Sequence, residues 1–340
     1  MSDRATLDAP DASTLQGLYE RGFVGSYWNP QAAQKLGDDV EGMGGFRYGE
    51  DACRTFGIEG AGAGRLSLPY LAVVQRYPLA LPGRAQERGD CVSFSTRTAI
   101  WISYISELIY GANPDGHALP VLDPVAERSG CIATEPLYWY RAHGGDGWQC
   151  AEAADVALTR SAMWLRQDYP EIQINLTNYS PKTAGKWGAG PPPSSVTSIG
   201  QRNLCRNATV CRTYESVRDM LATGNAISSC GSQAFANQRN QYGIAARTQQ
   251  KWYHAMALGG VDDRPETVAR EGGGLVLVIN SWGTNWISGE TQIDGTDLHI
   301  PQGCFWARWR DLDTRYNVAL GSSVGWPARQ MPDWGLRGIV

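Results

Sequence analysis

The stretch VSFSTRTAIWISYISELIY, Val92 to Tyr110, restricts this chain more than any other. On a helical wheel Phe94, Trp101, Ile105 and Leu108 fall on one line, flanked by Ile102 and Ile109. Thr96, Ser103, Ser106 and Glu107 share only a narrow opposite stripe. That pattern predicts a mostly buried helix, stopped by Gly111, Asn113 and Pro114. The final third changes period: KWYHAMALGGV and GGGLVLVINSW read as two strands, the second with an unbroken apolar run from Leu275 to Ile279. Further helices are expected across Ala151 to Gln167 and Tyr214 to Thr223, with a Pro/Gly/Ser-rich surface loop from Ser180 to Gly200. The glycine run Gly60 to Gly64 reads as a flexible joint after a loosely patterned leader.

There is material to enclose such a helix. Of the 340 residues, 42% are hydrophobic and 19% charged, which excludes a disordered chain and fits one large domain or two small ones. The net charge of −4 argues against a dedicated nucleic-acid binder. The acidic N-terminus lacks an apolar stretch of signal-peptide length, and no run is long enough to span a membrane. Synthesis in a reducing cytosol, with thiols free, is the expectation from these features. The eight cysteines are too sparse for a disulfide-stapled mini-protein and lack the spacing of a zinc site, so no metal and no cofactor is expected. N-x-S/T triplets at Asn175, Asn178 and Asn207 read as chance.

Three segments carry chemistry. In QERGDCVSFS, Cys91 stands at the first turn of the buried helix, where unsatisfied N–H groups favour a thiolate. In WYHAMALGG, His254 heads an apolar strand; in NSWGTNW, Asn280 ends the next one. If those strands form a hairpin closed by Asp262 to Gly274, with Val261 near Leu275, His254 comes opposite residues 280 to 282 and within diagonal reach of Asn280. A nucleophile, a base and a group that orients the base are the parts of a covalent hydrolase. His117, His143 and His299 lie in polar or glycine-rich stretches and read as surface residues; Trp139, Trp148, Trp164, Trp187, Trp306 and Trp309 read as interior packing.

These segments resemble the papain-like cysteine peptidases, in particular divergent phage and bacterial members. Gln86, Gly89, Cys91, Val92, Ser93, Phe94 and Ser95 meet the motif around the family's nucleophile. His254, Ala255 and Met256 meet the H-A-hydrophobic motif, and Asn280 to Gly283 the N-S-W-G motif. Weaker echoes lie in order at Ser129 to Tyr140, Tyr214 to Cys230 and Pro301 to Trp309, so the resemblance spans about Leu66 to Leu312. It departs in four places: Gln86 precedes Cys91 by five residues where six is usual, Val92 replaces an aromatic, Ile287 replaces a glycine, and the gap from His254 to Asn280 is longer than in papain itself, which the hairpin loop can absorb.

The resemblance implies an α+β, papain-like fold, with a helical subdomain carrying the nucleophile packed against an antiparallel sheet or barrel. It implies a leader or pro-segment at 1–64, a peptidase domain at 65–312 and a tail at 313–340. Cys91 would be the nucleophile of a thiol endopeptidase or amidase, and His254 its ion-pair partner and the acid for the leaving amine. Asn280 would hold the imidazole, and Trp282 would lie over that bond and exclude water. Gln86 with the Cys91 N–H would form the oxyanion hole. The implied partner is a peptide or protein substrate, with no nucleic acid and no membrane insertion. The alternative is a silent or occluded domain serving a larger assembly such as a virion.

Overall fold

The long helix runs from Cys91 to Tyr110, and its buried residues lie on nearly every side. Its setting is a computed structural model that describes residues 46–80, 85–111, 117–205, 207–312, 317–321 and 331–336. Ten strands are described: β1 (Phe46–Tyr48), β2 (Leu66–Ser67), β3 (Asp168–Tyr169), β4 (Ile174–Asn175), β5 (Asn207–Val210), β6 (Ile227–Arg239), β7 (Ala245–Asp262), β8 (Leu275–Ile279), β9 (Cys304–Arg308) and β10 (Asn317–Gly321). Eight form one sheet in the order β1-β5-β10-β6-β7-β8-β9, with β2 also on β7; β3 and β4 pair separately. All pairings in the large sheet are antiparallel except β1 with β5.

Both faces of this sheet are covered. Leu275, Leu277 and Ile279 join the core that holds the long helix, whereas Val276 and Val278 join a second core with Val217, Met220 and Leu221 of the helix Tyr214–Ala222. Alternate residues of β8 thus enter different cores, and that is why its apolar run has no polar interruption. Close approach of the helix depends on Gly259 in β7, where a Cβ would come 2.6 Å from Ile279 Cδ1 and 3.3 Å from Ile102 Cδ1. The expected α+β arrangement of a helix headed by Cys91 against a largely antiparallel sheet is therefore present.

Several expectations are corrected. The helix expected over Ala151 to Gln167 is Cys150–Thr159. Beyond it the chain leaves the helix to pair with the segment 131–133: Ala133 N–H donates to Trp164 O, Arg166 N–H donates to Cys131 O, and Leu165 bridges Ile132. The expected loop Ser180 to Gly200 holds two helices, Pro181–Gly188 and Ser194–Gly200. Pro181 sits in the first turn, and the Ser180 hydroxyl accepts the Thr183 N–H, so proline and serine act there as helix starters. The loop of the β7–β8 hairpin contains the helix Pro265–Glu271, and Leu275 pairs with Asp262 instead of Val261.

The sheet also runs past both edges set for the peptidase domain. β1 and the helix Gly49–Thr55 lie within the span assigned to the leader, and Ala52 and Cys53 enter the second core. β10 lies within the span assigned to the tail, yet it sits between β5 and β6 because Val210 and Ser228 both pair with Val318. The rest of the expected leader, residues 1–45, lies outside the described residues. Finally, the cysteines are not all thiols: Cys150 and Cys230 form a disulfide, with Cα atoms 6.5 Å apart, inside the usual range. No described helix is long and apolar enough to cross a membrane.

Candidate active site

Two polar contacts set the long helix against β6. Ser103 Oγ accepts the Ala226 N–H at 2.9 Å, and Ser95 Oγ lies 2.7 Å from Ser228 Oγ. Moving toward the start of the helix therefore means moving forward along β6. One further turn takes the helix to Cys91 in the direction of Gly231, the register partner of His254. The pair after Gly231–His254 is Gln233–Lys251, so Ser232 faces two residues, Trp252 and Tyr253. Tyr253 accommodates this bulge with φ +47°, a left-handed conformation that costs a bulky residue roughly 1–2 kcal/mol. The bulge redirects the strand at the residue just before His254.

His254 is fully buried, and its Nε2 lies 2.7 Å from Asn280 Oδ1. The same oxygen accepts the Ser281 N–H at 2.7 Å. With two donors meeting it, this end of the carboxamide is the acceptor, so His254 Nε2 must carry the proton. Nδ1 is then the basic nitrogen, and it has no hydrogen-bond partner among the described residues. Trp282 lies stacked over the imidazole, ring centres 4.6 Å apart and planes 26° apart, and Trp252 packs on Trp282 at 4.5 Å. Burial pushes the His254 pKa down to about 4, against the pull of the Asn280 hydrogen bond. The ring is neutral at pH 7, and a negative charge forming beside it would favour its protonated form.

The loop before Cys91 is tied to the Asn280 turn and to the helical half. Gln86 N–H donates to Ser281 O at 2.7 Å, and the Ser281 hydroxyl donates to Gln86 Oε1. Gln86 Nε2 donates to Arg88 O at 2.7 Å, within the same loop. Arg88 is fixed by Asp146 and by Pro181 O, and Gly89 O accepts from Gly147 N–H and the Tyr138 hydroxyl. Gly283, at φ +93°, turns the chain immediately after Trp282.

A buried acid precedes the cysteine. Asp90 has no exposed surface; the Tyr179 hydroxyl donates to its Oδ2 at 2.9 Å, and its Oδ1 has no partner among the described residues. Burial raises its pKa to about 8, aided by the Glu135 charge and opposed by the Tyr179 bond and Arg88. It therefore carries its proton at neutral pH and puts no full negative charge beside Cys91. Glu135 is itself paired with Arg166 at 3.0 Å, both side chains completely buried. Asp90, Tyr179 and Tyr253 were not singled out from the sequence. Asp90 carried a signal, an acid immediately before the cysteine, whereas Tyr179 lies 89 positions away with none.

Among the described residues no three His, Cys, Asp or Glu side chains gather as a metal site, and His117, His143 and His299 are exposed. No protein-family model and no curated protein matches the sequence. Among solved structures, the chain is similar to xylellain, a cysteine protease from Xylella fastidiosa, at 14% identity and TM-score 0.45 over 73% of this chain and 89% of that one. It is also similar to the cysteine protease and lectin-like domains of Cwp84, a surface layer associated protein of Clostridium difficile. That match has 18% identity and TM-score 0.42 over 76% of this chain and 52% of the other. A third is digestive procathepsin L2 proteinase from Tenebrio molitor, at 13% identity and TM-score 0.41 over 73% and 66%.

Proposed function

We propose that this protein hydrolyses peptide bonds by nucleophilic catalysis through Cys91, His254 and Asn280. The observation that supports the reading best is the tautomer: Asn280 Oδ1 holds the Nε2 proton and leaves Nδ1 as the base, on the strand toward which the Cys91 end of the helix runs. In this reading the Cys91 proton passes to Nδ1, and the sulfur attacks the amide carbon. The C–N bond breaks as Nδ1–H protonates the leaving amine, and water then cleaves the thioester. Gln86 and the backbone N–H of Cys91 would stabilise the oxyanion, and Trp282 keeps water from the His254–Asn280 bond.

Iodoacetamide labelling followed by peptide mass mapping tests this. Cys53, Cys131, Cys205, Cys211 and Cys304 are buried and all pushed up in pKa, Cys53, Cys131 and Cys304 to about 12. Cys91 should be labelled first at neutral pH, with loss of peptide hydrolysis. Cys91, His254 and Asn280 all lack exposed surface, which favours the second reading, an occluded domain within a larger assembly. That reading requires Cys91 to stay unlabelled until the chain is unfolded.

A further inference from the structure

The strand that presents His254 is irregular on its approach. Between the pairs Gln233–Lys251 and Ala234–Thr248, β6 advances one residue and β7 three, so Gln249 and Gln250 are looped out. A hollow of about 320 Å³ opens there, lined by Ser232, Arg247, Thr248, Gln249, Gln250 and Lys251. Arg247 and Lys251 are exposed, and neither forms an ion pair among the described residues. From Met220 through Val261 the chain contains no Asp or Glu at all. The only other Arg or Lys of that stretch, Arg239, is turned inward onto Cys304 O and Gly289 O. What remains is a concave surface with two unneutralised cations and several hydroxyl and amide donors, a setting that selects a carboxylate.

The chemistry of the site says which part of a substrate would reach it. His254 delivers the proton to the amine that leaves, so the segment beyond the broken bond lies on the histidine side. Lys251 stands three residues before His254 across the bulge, and so no more than about 10 Å away along the chain. Resting on the proposed peptidase reading, we propose that the Arg247–Lys251 hollow binds a carboxylate on the leaving segment of the substrate, within about three residues of the bond that is cut. The carboxylate is either an Asp or Glu side chain or the substrate's own C-terminus.

The test uses the full chain and a peptide mixture read by mass spectrometry to find the bonds cut. Matched peptides then carry Glu, Gln or Lys on the leaving side, each with a free or an amidated C-terminus. Glu is expected to exceed Lys about tenfold in kcat/KM, and the ratio should shrink with added salt. It should invert in Arg247→Glu/Lys251→Glu and flatten in Arg247→Gln/Lys251→Gln. A Glu preference kept in amidated peptides assigns the hollow to a side chain. Dependence on the free terminus instead assigns it to the chain end. Equal cleavage of Glu and Lys peptides with either terminus, alongside labelled Cys91, overturns this proposal and leaves the peptidase reading standing. No cleavage together with unlabelled Cys91 overturns both.

Discussion

The two sides of the candidate site are held in place by different physics. The side of Cys91 is polar and ionic: Arg88 on Asp146, Tyr179 on Asp90, and Arg166 on Glu135 with no exposed surface. The side of His254 is aromatic: Trp282 stacks on the imidazole, Trp252 and Trp286 pack on Trp282, and Phe305 packs on Trp286. The difference follows from what each must do. A backbone loop that has to present N–H groups is held by hydrogen bonds, which specify direction. A neutral ring that must exclude water is held by surface contact, which does not.

The sharpest way to break this contrast is to ask whether the two sides work as one unit. Cys91→Ala and His254→Ala should each reduce kcat for peptide hydrolysis by at least about 10⁴-fold, and the double variant by no more than the worse single. Additive losses would show that the sides act independently. Stability separates them next. Arg166→Met strands the Glu135 charge and should cost about 3–5 kcal/mol in urea unfolding, most of it recovered by adding Glu135→Gln. Trp286→Ala should cost a similar 3–5 kcal/mol through lost packing together with its Nε1–H donation to Gly303 O, with no partner side chain whose removal restores it.

Acid and base should then act on the two sides in opposite senses. Asp90 rises from 3.8 unfolded to about 8 folded, so its native state holds the extra proton. Its contribution is complete at low pH and is lost as pH rises toward 8. His254 falls from 6.5 to about 4, so its contribution is complete above 6.5 and is lost as pH drops toward 4. Each slope is at most about 1.4 kcal/mol per pH unit. Thermal melts across pH should show Asp90→Asn removing its part of the decline, which runs from about 4 to 8. His254→Gln should remove the acid loss. The smallest effect belongs to the bulge: Tyr253→Gly relieves a left-handed φ and should change stability by no more than about 1 kcal/mol, while displaced His254 geometry lowers kcat.

What could be read before folding divides along the same line. Cys91, His254, Asn280, Gln86 and Trp282 lie in short motifs, each with local character in its own ten residues, and the structure places His254, Asn280 and Trp282 in contact. The polar framework could not be read, because its members meet across 31 to 89 positions and nothing local marks an Arg166 destined for Glu135. The long helix was legible from its wheel. The helices after Ser180 were not, because proline and serine mark loops and helix starts alike. The Cys150–Cys230 bond likewise joins residues 80 positions apart, which only the packing of helix on strand brings together.

The place of β10 has a consequence for how the molecule is made. Emerging from the ribosome in order, β6 to β9 can zip together while β1 and β5 wait apart, since Asn317 to Gly321 must enter between them. Until that late segment arrives, β5 and β6 each expose an open edge, the condition in which chains adhere to one another. Closure of the central seam thus waits for β10, and the sheet that presents His254 is completed only after Asn317 to Gly321 has been made.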